Sequence, residues 1–461
     1  MNKFDGGMES EHVRRCPGTS YQDLLGRDSR PVPDSLRIDQ PAFLGDHDIP
    51  ISRYLDAEYH ELEKAKLWKK VWQVAVREER IPEVGDIATY EINDISIMIV
   101  RTAPGQIKAF YNACLHMGRQ LIDRPCKAPD IRCPYHGFTW TLDGKLKHIP
   151  AMWDFPQIKA KEFKLPEIRT GLWGGFIFVN MDPDCEPLED FLGDIDDHFR
   201  AYPLEERYTA AHLVKVVRAN WKVAQEAFSD AYHVVGTHPQ VLASMGDANS
   251  QYDTFGNYAR AITPTGVPSP HLTWTPTEED IAASAYNPAA PSGAEALKLP
   301  EGVSYRQHAA EAAREQFRQI IGEKADALCD AELMDSIFFL VFPNFHPFSS
   351  YNQVVQLFKP YGDRPDMCTM EIMYLAPFQG ERPPPAQIRF LDAHESFLDA
   401  PEFGEAVVLM QQDEWNMERV QRGMHSLRMV KSGVTLSVYQ QAMLRHFHNM
   451  YEQFLGLDET D

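Results

Sequence analysis

Two short runs in the sequence concentrate side chains that bind metals. Cys114-Leu-His116 and Cys133-Pro-Tyr-His136 are separated by sixteen residues, and each pairs one thiol with one imidazole within the reach of a single tight loop. Two thiolates and two imidazoles make a metal site, and both zinc and a [2Fe–2S] cluster fit that donor set. Zinc sites more often draw two thiolates from one arm. With one thiolate and one imidazole per arm, the set suits a cluster whose first iron takes Cys114 and Cys133 and whose second takes His116 and His136. Gly118 and Gly137 would let backbone amides approach the bridging sulfides. Further along, Asp230-Ala-Tyr-His233 is followed by His238, so a carboxylate and two imidazoles stand in an otherwise apolar stretch. A lone buried histidine is more often satisfied by its neighbours, but two at this spacing can supply two corners of a 2-His-1-carboxylate site for Fe(II), which leaves coordination positions open.

These groups need elements to hold them. Residues 71–76, 86–92, 95–101 and 107–112 are short runs rich in β-branched and aromatic side chains, separated by turn signals such as Pro82-Glu-Val-Gly85 and Pro104-Gly105. They predict a small antiparallel β domain, with a hairpin at Asp143-Gly144 and a closing strand at 175–180. Helices are expected at 56–68, 221–235 and 305–328, and an amphipathic C-terminal helix follows from the stripe Leu436, Tyr439, Met443, Phe447, Met450 and Phe454. Strands are expected at 336–342, 352–358 and 368–376. Residues 263–303, with six prolines between Pro264 and Pro291, read as a long loop.

Composition narrows the classes. The chain has 461 residues, 45 Lys+Arg against 67 Asp+Glu for a formal charge of −22, and 7 cysteines. That balance argues against nucleic acid, whose phosphates need clustered cations, and the cysteines are too sparse for a disulfide scaffold. No apolar run approaches the ~20 residues of a membrane span, and residues 1–18 lack a signal-peptide core, so a cytoplasmic protein is expected.

Asn112-Ala-Cys-Leu-His-Met-Gly118 and Cys133-Pro-Tyr-His-Gly-Phe-Thr-Trp140 resemble the two Rieske loops of ring-hydroxylating oxygenase α subunits, and the segment from Asn220 to His238 resembles their mononuclear-iron motif. Gln411-Gln-Asp-Glu-Trp-Asn-Met-Glu418, continuing to Gln421 and Gly423, is similar to the family's late helix. The resemblance spans residues 49–423. It implies that His233, His238 and Asp413 hold iron, with Glu414 the competing third ligand, and that Asp230 bridges His233 to the Rieske His136 of a neighbouring subunit. Two positions depart from the family's pattern: Met117 replaces a common Arg, and Ala227 replaces a common Asn.

The implied architecture is α+β, a small all-β Rieske domain at 45–165 and a catalytic domain at 166–461 with an antiparallel sheet covered by helices. Residues 1–44 would be an arm packing on the catalytic domain, and 263–303 a lid. The implied cofactors are one Rieske [2Fe–2S] cluster and one mononuclear Fe(II) per subunit, with NAD(P)H acting through a reductase and in some systems a ferredoxin. A homotrimer is implied, while a β subunit is left open. The implied reaction is hydroxylation, cis-dihydroxylation or oxidative demethylation of an apolar, aromatic or polycyclic substrate. The competing reading is a Rieske electron carrier whose second domain only binds a partner, but such a carrier has no need of Asp230, His233 and His238. Lesser residues take plainer readings. Cys126 is a structural thiol, His148 lies on the surface, and Tyr232 is packed with its hydroxyl satisfied. Phe228, Phe338 and Phe342 divide between substrate contact and the core, the core being the commoner place for aromatics on such elements, and His346 divides between pocket lining and a strand-end histidine.

Overall fold

The computed structural model describes residues 13–285 and 299–457, which form two compact units. The smaller is His60–Phe191 with Pro360–Arg364; the larger takes the described residues up to Tyr59, Leu192–Lys359 and those from Pro365 onward. Helices and antiparallel sheets are present in one chain, as α+β requires.

The smaller unit is built on a seven-stranded sheet in the order Gln73–Arg77, Phe176–Asn180, Glu167–Trp173, Gln106–Tyr111, Ile95–Ala103, Asp86–Ile92, Cys126–Lys127. A three-stranded sheet, Ile131–Arg132, Thr139–Trp140 and Leu146–His148, carries the Asp143-Gly144 hairpin. Gly144 sits at φ +81°, and a Cβ there would lie 2.6 Å from the Phe110 ring, so this turn needs glycine for both its backbone and its packing. The domain edge expected at 165 does not hold. Phe176–Asn180 is buried along its whole length and pairs on both sides, so this strand and its partner Glu167–Trp173 are integral to the sheet. The edge at 45 moves as well: Ile49–Pro50 pairs with Gly433–Val434 in the larger unit.

In the larger unit an eight-stranded sheet runs Gln251–Phe255, Tyr258–Thr263, Ser336–Val341, Phe345–Pro347, Val354–Tyr361, Arg364–Pro377, Arg207–Val217, Ile388–Leu391. Only the last pair is parallel among the registers described. The strand Arg207–Val217 is unexpected from sequence because its inward positions include Arg207, Thr209 and Lys215, all buried, which hide the alternation of apolar residues. Hydrogen bonds to buried carboxylates fasten the N-terminal arm here: Tyr21 donates to Asp335 at 2.9 Å, Ser29 to Asp330, and the Gln40 amide to Asp253, itself paired with Arg260 at 2.6 Å.

Three helical expectations change. The run at 221–235 is two short helices, Trp221–Glu226 and Val234–Thr237, with irregular backbone between. The helix from Tyr305 stops at Ile321, where Gly322 takes φ +65° and a 3₁₀ segment follows. The C-terminal helix is Ala442–Leu455, so Leu436 and Tyr439 are buried ahead of it. Within 263–303, Glu278–Ser284 is a helix capped reciprocally by Thr277 and Asp280; residues 286–298 of the expected lid lie outside the described residues. No helix among the described residues is long and apolar enough to cross a membrane.

Two buried histidines make the larger unit sensitive to acid. Burial, reinforced at His198 by the Arg260 guanidinium, pushes His198 and His346 each down to about 3. Both are therefore neutral in the folded chain, whereas the unfolded chain takes up protons below about pH 6.5. Each thus contributes stability that is complete above pH 6.5 and is lost as pH falls toward 3, at about 1.4 kcal/mol per pH unit. Denaturant titrations between pH 7 and pH 4.5 should show that decline, and His198→Asn should flatten it.

Candidate active site and cluster loops

The two loops of the smaller unit repeat one backbone pattern. The Cys114 amide donates to Arg119 O at 2.8 Å and the Gly118 amide to Cys114 O at 2.8 Å; the Cys133 amide donates to Phe138 O at 2.8 Å and the Gly137 amide to Cys133 O at 3.0 Å. Gly118 (φ +75°) and Gly137 (φ +79°) close the turns in the left-handed region. Both cysteines are free and buried within the unit's apolar core, beside Phe138 and Trp140. His116 stacks on Phe138 and meets His136 edge-on, with ring centroids 4.7 Å apart in each case. The Nδ1 of His116 is buried with no hydrogen-bond partner. A buried imidazole nitrogen left bare, beside two buried thiols and a second imidazole, fits a cluster with mixed ligands. Cys126 is exposed, on an edge strand apart from the two loops. His148 is exposed at the end of its hairpin strand, and Met117 is 66% exposed at the loop tip.

In the larger unit, Asn220 caps Trp221–Glu226, its side chain accepting from the Lys222 amide. The chain then leaves the helix. Ser229 Oγ donates to Gln225 O, and Asp230 Oδ1 accepts the His233 amide at 3.0 Å, so short polar side chains compete with the helical ladder. The helix Ala406–Leu427 comes alongside, held where Gln421 Oε1 accepts the Asn220 amide at 2.9 Å. Ligand atoms of His233, His238 and Asp413 all lie within 4.8 Å of one another. His238 Nε2 is 3.0 Å and His233 Nε2 3.7 Å from Asp413 Oδ1.

Partners on the other ring nitrogens set the tautomers. His233 Nδ1 is 3.1 Å from Asp230 Oδ1, and His238 Nδ1 is 2.7 Å from Gln412 Oε1. Gln240 Nε2 donates to that same amide oxygen, which fixes it as an acceptor. Both Nδ1 atoms therefore carry the proton, and both Nε2 lone pairs face Asp413. Such a donor set fits Fe(II). Glu414, the competing ligand, is turned away: it pairs with the buried Lys215 at 2.7 Å and accepts from Gln411.

Sequence reading missed two contributors. Gln412 adjoins Asp413 in a run singled out for its acids, and an amide next to a candidate ligand was the available signal. Gln441 donates to Asp230 Oδ2 at 3.0 Å while its own oxygen accepts the Ser437 amide, and nothing in its local sequence marks it. Tyr232, expected to be packed, is 45% exposed.

Against known proteins, residues 199–457 match the family model for the ring hydroxylating alpha subunit (catalytic domain), and residues 71–160 match the Rieske [2Fe–2S] domain. The chain belongs to the ring-hydroxylating oxygenase α-subunit family. That family carries a Rieske cluster and a mononuclear iron. Among relatives, the glycine betaine monooxygenase oxygenase subunit of Pseudomonas aeruginosa is 30% identical over 227 residues, covering 49% of this chain and 52% of the relative. The carnitine monooxygenase oxygenase subunit of Escherichia coli (strain K12) is 32% identical over 213 residues, covering 46% and 57%. The chain thus spans about half the length of the curated relatives it matches. In fold it is similar to a quaternary ammonium Rieske monooxygenase (TM-score 0.62, 18% identity, 88% of this chain and 95% of that one). It is equally similar to naphthalene 1,2-dioxygenase (TM-score 0.61, 18% identity, 90% and 93%).

Asp413→Ala should abolish iron retention in the larger unit while the cluster's visible spectrum persists, as read by metal analysis and absorbance. Glu414→Gln should retain the iron and lower stability by about 3 kcal/mol, because it strands a buried lysine.

Proposed function

We propose that this chain is the terminal oxygenase of a multicomponent Rieske system, in which Cys114, His116, Cys133 and His136 hold the cluster and His233, His238 and Asp413 hold the mononuclear iron. The observation that carries this reading is the convergence of two oriented imidazole nitrogens on one carboxylate oxygen. When bound, the two centres supply stored electrons and the reduction of O2 at positions the protein leaves open.

The chain's own residues do the rest. Asp230 holds His233 in the tautomer that binds metal, and Gln441 donates to the same carboxylate from the far side. Gln412 does for His238 what Asp230 does for His233. Leu115, Met117, Tyr135 and Trp153 leave apolar surface exposed on and near the cluster loops, which supports a homotrimer in which each cluster serves a neighbouring chain. A reductase, with or without a ferredoxin, would deliver the electrons, and the cytoplasm is the compartment proposed.

For the substrate, an apolar aromatic or polycyclic molecule is the first reading, in keeping with the stack on Phe358 of Phe228, five residues ahead of His233 in the chain. The second is N-demethylation of a quaternary ammonium compound, favoured by the relatives named for glycine betaine and carnitine. With both iron centres loaded and a surrogate reductase, O2 uptake should rise on one member of a panel spanning both classes, and formaldehyde release would identify demethylation. Intact centres with no substrate-stimulated uptake would count against an oxygenase. Asp230→Ala should keep the cluster reducible and the iron bound yet lose at least about ten-fold in turnover; full activity would refute the bridging role.

A further inference from the structure

On the segment that leads into His233, and on the sheet face packed against it, lies a set of buried polar atoms that the proposed mechanism does not use. Both amide atoms of Gln225, both ring nitrogens of His346, Oε1 of Gln356 and Oδ1 of Asn344 are buried without a hydrogen-bond partner. The side chains are almost completely enclosed, with Gln225 and His346 at 0% exposure, Asn344 at 1% and Gln356 at 3%. Native interiors leave few such groups unmet, because each gave up its hydrogen bonds to water on folding.

Their placement ties them to one wall against the segment that precedes His233. Gln225 lies on the helix Trp221–Glu226, three residues before Phe228 and five before Asp230. The Phe228 ring stacks on Phe358 at 5.7 Å, and Phe358 meets His346 edge-on at 5.2 Å. His346 and Gln356 are direct cross-strand partners, and Phe358, two residues beyond Gln356, shares their face of the sheet. Asn344 is anchored through its Nδ2, which donates to Phe358 O at 2.8 Å, leaving its oxygen bare. One face of the strand pair thus meets the segment that carries the metal-binding histidines, with two phenyl rings between them and unmet amide and imidazole groups around them.

The chemistry of this set is specific. The primary amide of Gln225 lacks both a donor and an acceptor for its two ends. His346 is neutral and offers one N–H and one lone pair. No cation or carboxylate belongs to the group.

We propose that Gln225, His346 and Gln356 form a recognition subsite for a neutral hydrogen-bonding substituent, a hydroxyl, carbonyl or amide, on a ring-bearing substrate lying against Phe228 and Phe358. The proposal rests on the oxygenase reading only in taking the triad as the reaction centre. Its prediction is one of binding and needs no turnover.

Equilibrium dialysis of the enzyme carrying both iron centres against 1-indanone and indane, which differ by one carbonyl, tests it. The native enzyme should bind 1-indanone at least about ten-fold tighter than indane, since a site built to hydrogen-bond rejects an analogue that leaves its polar groups unpaired. In Gln225→Met and Gln356→Met the preference should fall to within about two-fold. The cluster spectrum and iron content should be unchanged and the melting temperature unchanged or raised, because an unmet polar atom has been removed. Preference that persists in both variants, binding of neither probe, or 1-indanone displaced more effectively by L-carnitine than by 1-indanol would overturn the proposal. If one variant fails to fold, the other decides. Substrate-stimulated O2 uptake with unaltered discrimination refutes the subsite alone, whereas altered discrimination without uptake on any substrate refutes the oxygenase reading alone.

Discussion

The larger unit's site depends on a break in a helix. At 3.6 residues per turn, side chains five positions apart point about 140° away from each other, so His233 and His238 on one continuous helix could not share a metal. The chain unwinds after Glu226, and the restarted turn Val234–Thr237 ends at His238, whose backbone leaves helical geometry (φ −124°, ψ 52°), so the two rings that flank this turn come to 5.4 Å between centroids. Breaking the helix leaves backbone groups to satisfy, and Asp230, which satisfies one of them, also orients the His233 ring. Asp230 accepts both the His233 amide and its Nδ1 proton. The Tyr252 hydroxyl accepts the Ala231 amide. Local backbone repair and ligand orientation are one set of hydrogen bonds, so a change at Asp230 acts on both.

Asp413, the third member of the triad, arrives from a helix about 180 residues away in sequence, and its register is fixed by contacts spread over several turns. Gln421 accepts the Asn220 amide, Glu418 meets Arg218, and Asn416 donates to Thr237. Glu418 and Gln421, four and seven residues beyond Glu414, share its side of the helix, where the Glu414 carboxylate reaches Lys215, and Asn416 lies on the other side of Asp413. One residue along a helix turns the side chain by about 100°, which is why Asp413 and Glu414, adjacent and chemically alike, do different work. A buried Lys–Glu pair at that point contributes little net stability but makes the helix costly to rotate, since rotation would leave either charge alone in the interior.

What could be read in advance follows from how each feature is encoded. The strands of the smaller unit, the Asp143-Gly144 hairpin and the metal-binding clusters are local: spacing, β-branching and turn chemistry determine them within a dozen residues. The helix break was not legible because residues 221–235 keep helical hydrophobicity throughout, and Ser229 and Asp230 disrupt the ladder only through where their side chains turn. The strand Arg207–Val217 was hidden by its buried Arg207 and Lys215, whose partners lie far along the chain: Arg207 reaches Asn352 O and Lys215 reaches Glu414. Gln441 and Gln412 matter through what they touch, and an amide carries no mark of that in its own sequence.

The polarity around the triad also bears on substrate class. An apolar pocket was the expectation from Phe- and Leu-rich strands, and the sheet does carry them. Yet the same face presents His346 opposite Gln356, with both imidazole nitrogens and the Gln356 Oε1 buried without a partner, which is rare in β-sheet cores. Retaining an unmet amide in a core is destabilising, and the bound substituent proposed above would supply the hydrogen bonds it lacks. A purely hydrocarbon substrate would leave those groups unpaired and be selected against. A cation would find ring faces but no compensating carboxylate in the group. A ring system bearing one neutral oxygen or nitrogen function meets both halves of the wall, with the aromatic surface on Phe228 and Phe358 and the polar group on Gln225, His346 and Gln356. The same contacts would fix which carbon of the substrate faces the triad, so recognition and regiochemistry would be set by one layer of side chains.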